Sequence, residues 1–299
     1  MKQVFYFCIL FISSLSSDVF DHLKKIENKT SGHSMRNIDF IYMINLDHRP
    51  EKFQKSMEKL APYNIYPFRF PAINGRELSL EVINDIGLKY QPWMTPINAL
   101  YFISTDCPPI KEKMHVIDRT YFAFKSLGAL GCLLSHLSIL VDAYNSGYET
   151  IWVLEDDIEV KKNPHILSDM IEKLDQEIGK ENWDYFFTDK DYVDSQGKPV
   201  KSQGIPARPD LDTHIKNRYR KEYCFDETVG SFRKIGARFG THSMIIRRSG
   251  IKKMIDYFNK HRVFFPIDVE NYVCTEIRRY TVLEDVVSNE LNALSDIVN

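Results

Sequence analysis

Three acidic residues in a row, Glu155-Asp156-Asp157, follow directly on the apolar run Ile151-Trp152-Val153-Leu154. The run reads as a buried strand. The triplet therefore falls at a strand's carboxyl end, where open α/β sheets bind ligands. Adjacent carboxylates repel one another, and a bound cation relieves that repulsion. Carboxylate oxygens joined by phosphate oxygens suit Mn²⁺ or Mg²⁺. The pattern points to a divalent ion at Asp156 and Asp157, with Glu155 beside it and a nucleotide diphosphate as its other ligand. The bland alternative is an acidic loop that caps the following helix.

Other residues offer matching chemistry. Asp268 sits in Phe265-Pro266-Ile267-Asp268-Val269-Glu270. A carboxylate in apolar surroundings has a raised pKa and can accept a proton. Asp268 is the first candidate base and Glu270 the second; a capping or ion-paired acid is the alternative for either. His242 follows Gly240-Thr241 and is a candidate for the metal or the diphosphate. Ser135 and His136 lie in a strongly apolar stretch and need partners there. His136 could orient the triplet or, with Ser135, line a ligand pocket. Asn45 and Leu46 end the apolar run at 38–46, and Arg49 follows. Asn45 can bond a base or ribose edge, and the planar Arg49 guanidinium suits phosphate, unless it pairs with Glu51. Asn74-Gly75 is either a plain turn or a place where the backbone approaches a ligand.

Strands and helices must position these groups. Residues 38–46, 65–70, 150–154, 183–188 and 241–247 read as strands, rich in branched and aromatic side chains. Pro50 opens a helix carrying Phe53, Met57 and Leu60 on one face. The strongest helix is predicted over 126–146, with Leu130, Leu133, Leu134, Leu137, Leu140 and Val141 as its apolar face. Asn163-Pro164 and Ser249 open two more. Residues 264–269 and 280–283 close the pattern as further apolar runs. Strands alternating with helices predict an α/β fold with a mostly parallel, Rossmann-type sheet flanked by helices. Prolines break the pattern over 87–118, which reads as an insert or lid. Residues 190–238 read as an irregular basic loop, and over that span eleven Lys and Arg face seven Asp and Glu.

The bulk numbers bound the rest. A chain of 299 residues with 43% apolar content supports one sizeable core. A net charge of −2 carries no nucleic-acid signature. The five cysteines, Cys8, Cys107, Cys132, Cys224 and Cys274, show no zinc-ligand or redox spacing between them. Lys2, the apolar run 4–12 and the serines up to Ser17 look like a secretory signal at 1–17. Residues 18–37 read as a linker. No later segment is expected to be long and apolar enough to cross a membrane. A real signal would make the chain exported or membrane-associated. Otherwise it belongs at the cytoplasmic face of the membrane.

Several of these stretches resemble a known family. The runs 41–52 and Phe70-Pro71-Ala72-Ile73-Asn74-Gly75 resemble the opening of family 25 glycosyltransferases. Gly131-Cys132-Leu133-Leu134-Ser135-His136 and Val153-Leu154-Glu155-Asp156-Asp157 are similar to its central motifs. Trp183-Asp184, Gly240-Thr241-His242 and Pro266-Ile267-Asp268 match later ones in order. The family includes lipooligosaccharide and collagen galactosyltransferases. The resemblance covers roughly residues 38–289 and assigns 38–299 to one such domain. It implies a GT-A-like fold, a UDP-sugar donor, a divalent metal and inversion at the anomeric carbon. Under it, Asn45, Leu46, Arg49, Asn74, Gly75, Ser135, His136 and Glu155 would face the donor. Asp156, Asp157 and His242 would serve the metal, and Asp268 or Glu270 would be the base. The expected partners are a UDP-sugar, a glycan or glycolipid acceptor and a membrane surface. The competing readings are a secreted carbohydrate-binding protein on an inactive transferase scaffold, and a phosphohydrolase using the same acids.

Overall fold

The computed structural model describes residues 19–190, 196, 205–211, 219–220, 225–291, 293 and 295–297. The apolar run at 1–17, Cys8, Cys224 and part of the basic stretch, including Lys216, Arg218 and Lys221, lie outside the described residues.

An eight-stranded sheet forms the centre. Its strands, in chain order, are β1 (Phe40–Asn45), β2 (Phe68–Pro71), β3 (Thr150–Glu155), β4 (Tyr185–Phe187), β5 (Asp226–Val229), β6 (Phe232–Ile235), β7 (Ser243–Arg247) and β8 (Arg279–Thr281). Their spatial order is β5-β6-β8-β4-β7-β3-β1-β2. Six of the eight point one way, while β6 and β7 run against them. The sheet is thus mixed and mostly parallel, flanked by helices, as an α/β Rossmann-like GT-A fold requires.

The strand sequences explain why the sheet is covered on both faces. In β1 every residue is buried. Phe40, Tyr42 and Ile44 join one apolar cluster, and Ile41 and Met43 join the other. Side chains alternate across a strand, so an unbroken apolar run feeds two cores. Helix α1 (Pro50–Leu60) and helix α4 (Ile166–Ile178) cover the second cluster. Helix α3 (Leu127–Asn145) covers the first, with helix α2 (Leu80–Ile86), helix α5 (Arg248–Lys260) and helix α6 (Ile267–Val273). Ser126 caps α3 by accepting from Gly128 N at 3.0 Å.

Helix α3 corrects one expectation. It is long and apolar enough, by length and composition, to cross a membrane, and 72% of that window is buried inside the protein. Its apolar surface is used as core. The N-terminal stretch read as a linker also lies against the domain. Val19 is buried, Gly32 bridges Tyr66, and Lys29 Nζ reaches the Tyr42 hydroxyl at 3.2 Å.

The connections create a crevice at β1. From β1 the chain passes through α1, on one face, to β2. It returns through α3, on the opposite face, to β3 on the other side of β1. Neighbouring connections that leave for opposite faces open a gap at the strands' carboxyl ends. The stretch 87–118, read above as an insert or lid, lies between α2 and α3. It contains an antiparallel pair, Asn98–Tyr101 with Ile110–Lys113, and Leu88–Lys89 pairs with Thr120–Tyr121 just beyond it. The basic stretch departs from its expected irregularity, because β5 and β6 form a hairpin that extends the main sheet.

A buried acid ties the β4 end of the sheet to α5. Asp184 is fully buried and accepts from the Arg278 guanidinium, Lys253 Nζ at 2.7 Å and the Ser249 hydroxyl at 2.7 Å. Burial alone would raise its pKa, but these donors outweigh it and hold the group at about 2. The folded value lies below the unfolded one of about 3.9. The resulting stability is present above pH ~4 and is lost as pH falls toward 2. Its size is on the order of 2–3 kcal/mol. Asp184→Asn should flatten the acid limb of a stability–pH curve between pH 4 and 2 by that amount. An unchanged limb would show that these contacts are not what sets it.

Candidate active site

The crevice at β1 opens into a cleft of about 880 Å³, its solvent mouth included. Three strand ends supply its walls: Ile44, Asn45 and Leu46 after β1, residues 72–76 after β2, and Glu155, Asp156 and Asp157 after β3. Gly128, Cys132 and Ser135 of α3 form another side, and Lys52 of α1 and residues 295–297 complete it. The acidic triplet therefore lies where the sequence places it, within a cleft beside the β1 strand.

The electrostatics of the triplet favour a cation. Burial pushes Asp156 up to about 6, and repulsion from Asp157 and Glu155 adds to this. Burial also pushes Asp157 up to about 6, with Glu155 again adding. Asp157 Oδ1 is buried and has no hydrogen-bond partner. Glu155 behaves differently. Its burial is outweighed by the His136 ring, 3.1 Å from Oε1, and the Thr241 hydroxyl, which donates at 2.6 Å. Glu155 thus stays below its ordinary value, and its negative charge presses on its two neighbours. An orphaned carboxylate oxygen beside a second strained carboxylate is a set of hard oxygen donors, which suits Mg²⁺ or Mn²⁺.

Several candidates hold the cleft together. Asn45 is almost fully buried. Its Nδ2 donates to Asp156 Oδ2 at 2.6 Å and to Arg49 O at 2.8 Å, and its Oδ1 accepts from Arg69 Nε at 2.8 Å. The amide expected to read a base is spent on fixing Asp156. Ser135 is likewise occupied, donating to Gly131 O at 2.7 Å and accepting from Ile73 N at 2.8 Å. His136 Nε2 lies 3.1 Å from Glu155 Oε1 and holds that carboxylate.

Other candidates are engaged by contacts within the protein. Arg49 does not line the cleft; its guanidinium pairs with Glu51 at 2.6 Å and with Asp296. Asn74 caps the short turn Gly75–Glu77 by accepting from Arg76 N, and it donates to Glu77. Gly75 makes its close approach to helix α3. A Cβ there would lie 1.7 Å from Leu127 O and 2.9 Å from Gly131 N. Gly75→Ala should accordingly cost about 3 kcal/mol by pushing two backbones apart, read as a lowered urea midpoint. A shift below about 0.5 kcal/mol would contradict that packing.

His242, the third candidate for the metal, is almost fully buried beside Asp189. Its Nε2 lies 3.1 Å from Asp189 Oδ2, within ion-pair distance but not aligned for a hydrogen bond. Its ring acts on Glu155 and Asp157 through charge alone. Glu270 is engaged more fully. It is fully buried, and its oxygens accept from Arg208 Nη1 at 2.5 and 2.7 Å, the Tyr257 hydroxyl, and the Phe264 and Phe265 amides. A carboxylate so saturated has no room for a substrate proton. Asp268, in the first turn of α6, is only partly buried. It accepts from Val269 N at 2.8 Å and Gly240 N at 3.3 Å. Burial and the Glu155 charge raise it above its ordinary value.

A family model described as glycosyltransferase family 25 (LPS biosynthesis protein) matches residues 38–270. The chain belongs to glycosyltransferase family 25. It is similar to a glycosyltransferase 25 family member from Drosophila melanogaster, 25% identical over 202 residues, covering 68% of this chain and 27% of that protein. One from Aedes aegypti is 29% identical over 150 residues, 50% of this chain and 21% of that protein. An inactive glycosyltransferase 25 family member 3 from Mus musculus is 23% identical over 177 residues, 58% of this chain and 25% of that protein. The chain spans about a quarter of the length of the curated relatives it matches.

Some side chains at this family 25 cleft escape a reading of the sequence. Lys52 lines it, and its charge lowers both Asp156 and Asp157. Its Nζ lies 2.6 Å from Asp296 Oδ2. Its signals are its place one helical turn after Arg49 and at the end of the family-like run 41–52. Thr241 and Asp189 also matter. Asp189 is fully buried, is held at about 2 by Arg238 and His242 against the effect of burial, and lies within ion-pair distance of the His242 ring. Asp189 directly follows a predicted strand, at the same carboxyl-end position as the triplet follows its own.

Proposed function

We propose that this family 25 member is a metal-dependent, inverting hexosyltransferase. It would move galactose from a UDP-sugar to a glycan or lipid-linked glycan acceptor. One observation carries the reading: Asp157, with an unpartnered buried oxygen, lies beside Asp156 at the carboxyl end of β3, next to the parallel strand β1. Asp156 and Asp157 would hold the divalent ion, which when bound supplies Lewis-acid stabilisation of the leaving diphosphate. Asn45 fixes the Asp156 carboxylate, and Lys52 offers a second positive charge to the phosphates. Leu46 and residues 72–76 give the nucleoside an apolar and backbone-lined wall. Asp268, raised in pKa yet within the field of Glu155, is the group that would take the acceptor hydroxyl proton. The sugar would then be attacked from the side opposite the diphosphate, giving inversion.

The test is UDP release from UDP-galactose and UDP-glucose by the purified chain, with and without Mn²⁺, and NMR of the product anomer. Mn²⁺-dependent release of UDP from UDP-galactose with inverted product is the expected result. Relatives described as inactive, such as the Mus musculus protein, favour a second reading, an inactive scaffold that binds glycan or nucleotide. UDP binding without turnover on any acceptor would select it.

A further inference from the structure

Cysteine spacing alone reveals no metal site, because the partners come from different residue types and a different strand. Cys132 and His136 stand four apart on α3, so they share one helix face. That face meets the end of β3. The Cys132 Sγ, a His136 ring nitrogen and a Glu155 carboxylate oxygen all lie within 4.8 Å of one another. The closest pair, His136 Nε2 and Glu155 Oε1, is 3.1 Å apart.

We propose that Cys132, His136 and Glu155 form a binding site for a zinc-class divalent ion, distinct in its chemistry from the all-oxygen pair Asp156 and Asp157. A tetrahedral zinc ion takes sulfur at ~2.3 Å and nitrogen or oxygen at ~2.0–2.1 Å, which puts ligand atoms about 3.3–3.6 Å apart. The three atoms reach that arrangement by side-chain movements on the order of 1 Å. Thiolate, imidazole and a single carboxylate select zinc or cobalt over magnesium or manganese. The Thr241 hydroxyl on Glu155 Oε1 steadies the carboxylate ligand, as outer-sphere partners do in built metal sites.

Cys132 and Glu155 both line the cleft, so the fourth coordination position faces it and is open to a water or a small anionic ligand. Burial and the surrounding carboxylates raise the Cys132 thiol well above its ordinary range. The same negative field attracts the ion, which takes the thiolate and releases one proton per ion to solvent.

Cobalt reads this site directly, since a cobalt–thiolate bond adds a charge-transfer absorption that oxygen ligands do not give. Under reducing conditions, Co²⁺ added to the full chain should produce that band, and Zn²⁺ should displace it. Cys132→Ser should remove the band and weaken zinc binding by at least about 30-fold by calorimetry, while Cys107→Ser and Cys274→Ser keep both. Independently of any variant, Zn²⁺ but not Mn²⁺ should slow alkylation of Cys132 by iodoacetamide at least tenfold, read by peptide mapping. No cobalt band in the wild-type chain, a band that survives in Cys132→Ser, or alkylation unaffected by zinc would overturn the proposal. Mn²⁺-dependent UDP release, measured in parallel, separates the two readings. Its loss alone would refute the transferase assignment and leave this site standing.

Discussion

Asp157→Asn is expected to lower Mn²⁺-dependent release of UDP from UDP-galactose by about 10³-fold, the rate equivalent of several kcal/mol of lost metal stabilisation. The substitution keeps the size of the side chain and removes its charge. Asp157 Oδ1 already lacks a protein partner, and burial and Glu155 raise the group to about 6. Relieving that strain should leave the folded state as stable as before, or more so. The combination is diagnostic: a thermal midpoint that holds or rises, with turnover and Mn²⁺-dependent UDP binding both lost. Normal turnover by the variant would sink the site assignment.

Asp268→Asn is expected to reduce kcat by 10²- to 10⁴-fold, roughly the range for a missing general base. UDP affinity should stay within about twofold of the parent, since Asp268 does not line the cleft proposed for the nucleotide. Loss of UDP binding would instead make it a donor-site residue. Glu270→Gln provides the contrast. That carboxylate is buried against Arg208, so its removal should cost about 3–5 kcal/mol of stability, with turnover falling only as the fold does. The two acids are separated in the sequence by one residue, yet they should fail in different assays.

That contrast shows where sequence reading reaches its limit. The strands β1 and β3 and the helix α3 are legible because their apolar runs are long and their period is clear. The triplet is legible because three adjacent like charges after a buried strand can neither join the core nor pair with one another. Asp268 and Glu270 cannot be told apart in the same way. The run around them looks like an extended apolar segment, but Pro266 opens helix α6 there. Residues two apart on a helix point to nearly opposite sides, so one acid turns inward to Arg208 and the other remains near Gly240. The hairpin of β5 and β6 is hidden for another reason. Asp226, Glu227 and Thr228 are exposed on a sheet edge, so no apolar alternation marks the first strand. Lys52 and Asp189 are hidden because their importance lies in distant partners, Asp296 and His242, that no local pattern reveals.

The buried Arg208–Glu270 pair has a mechanical consequence. Arg208 belongs to the segment 205–211 and lies outside the cleft, yet it clamps the helix whose first turn carries Asp268. His261 and Asp210 fasten the same corner, 3.2 Å apart. Under the proposed assignment of Asp268, the position of the base is thereby set from a remote corner of the fold. Loosening that corner would let the start of the helix drift, and a displacement of about 1 Å is enough to misalign a proton acceptor. Under that assignment, damage there would lower turnover while the sheet still stood.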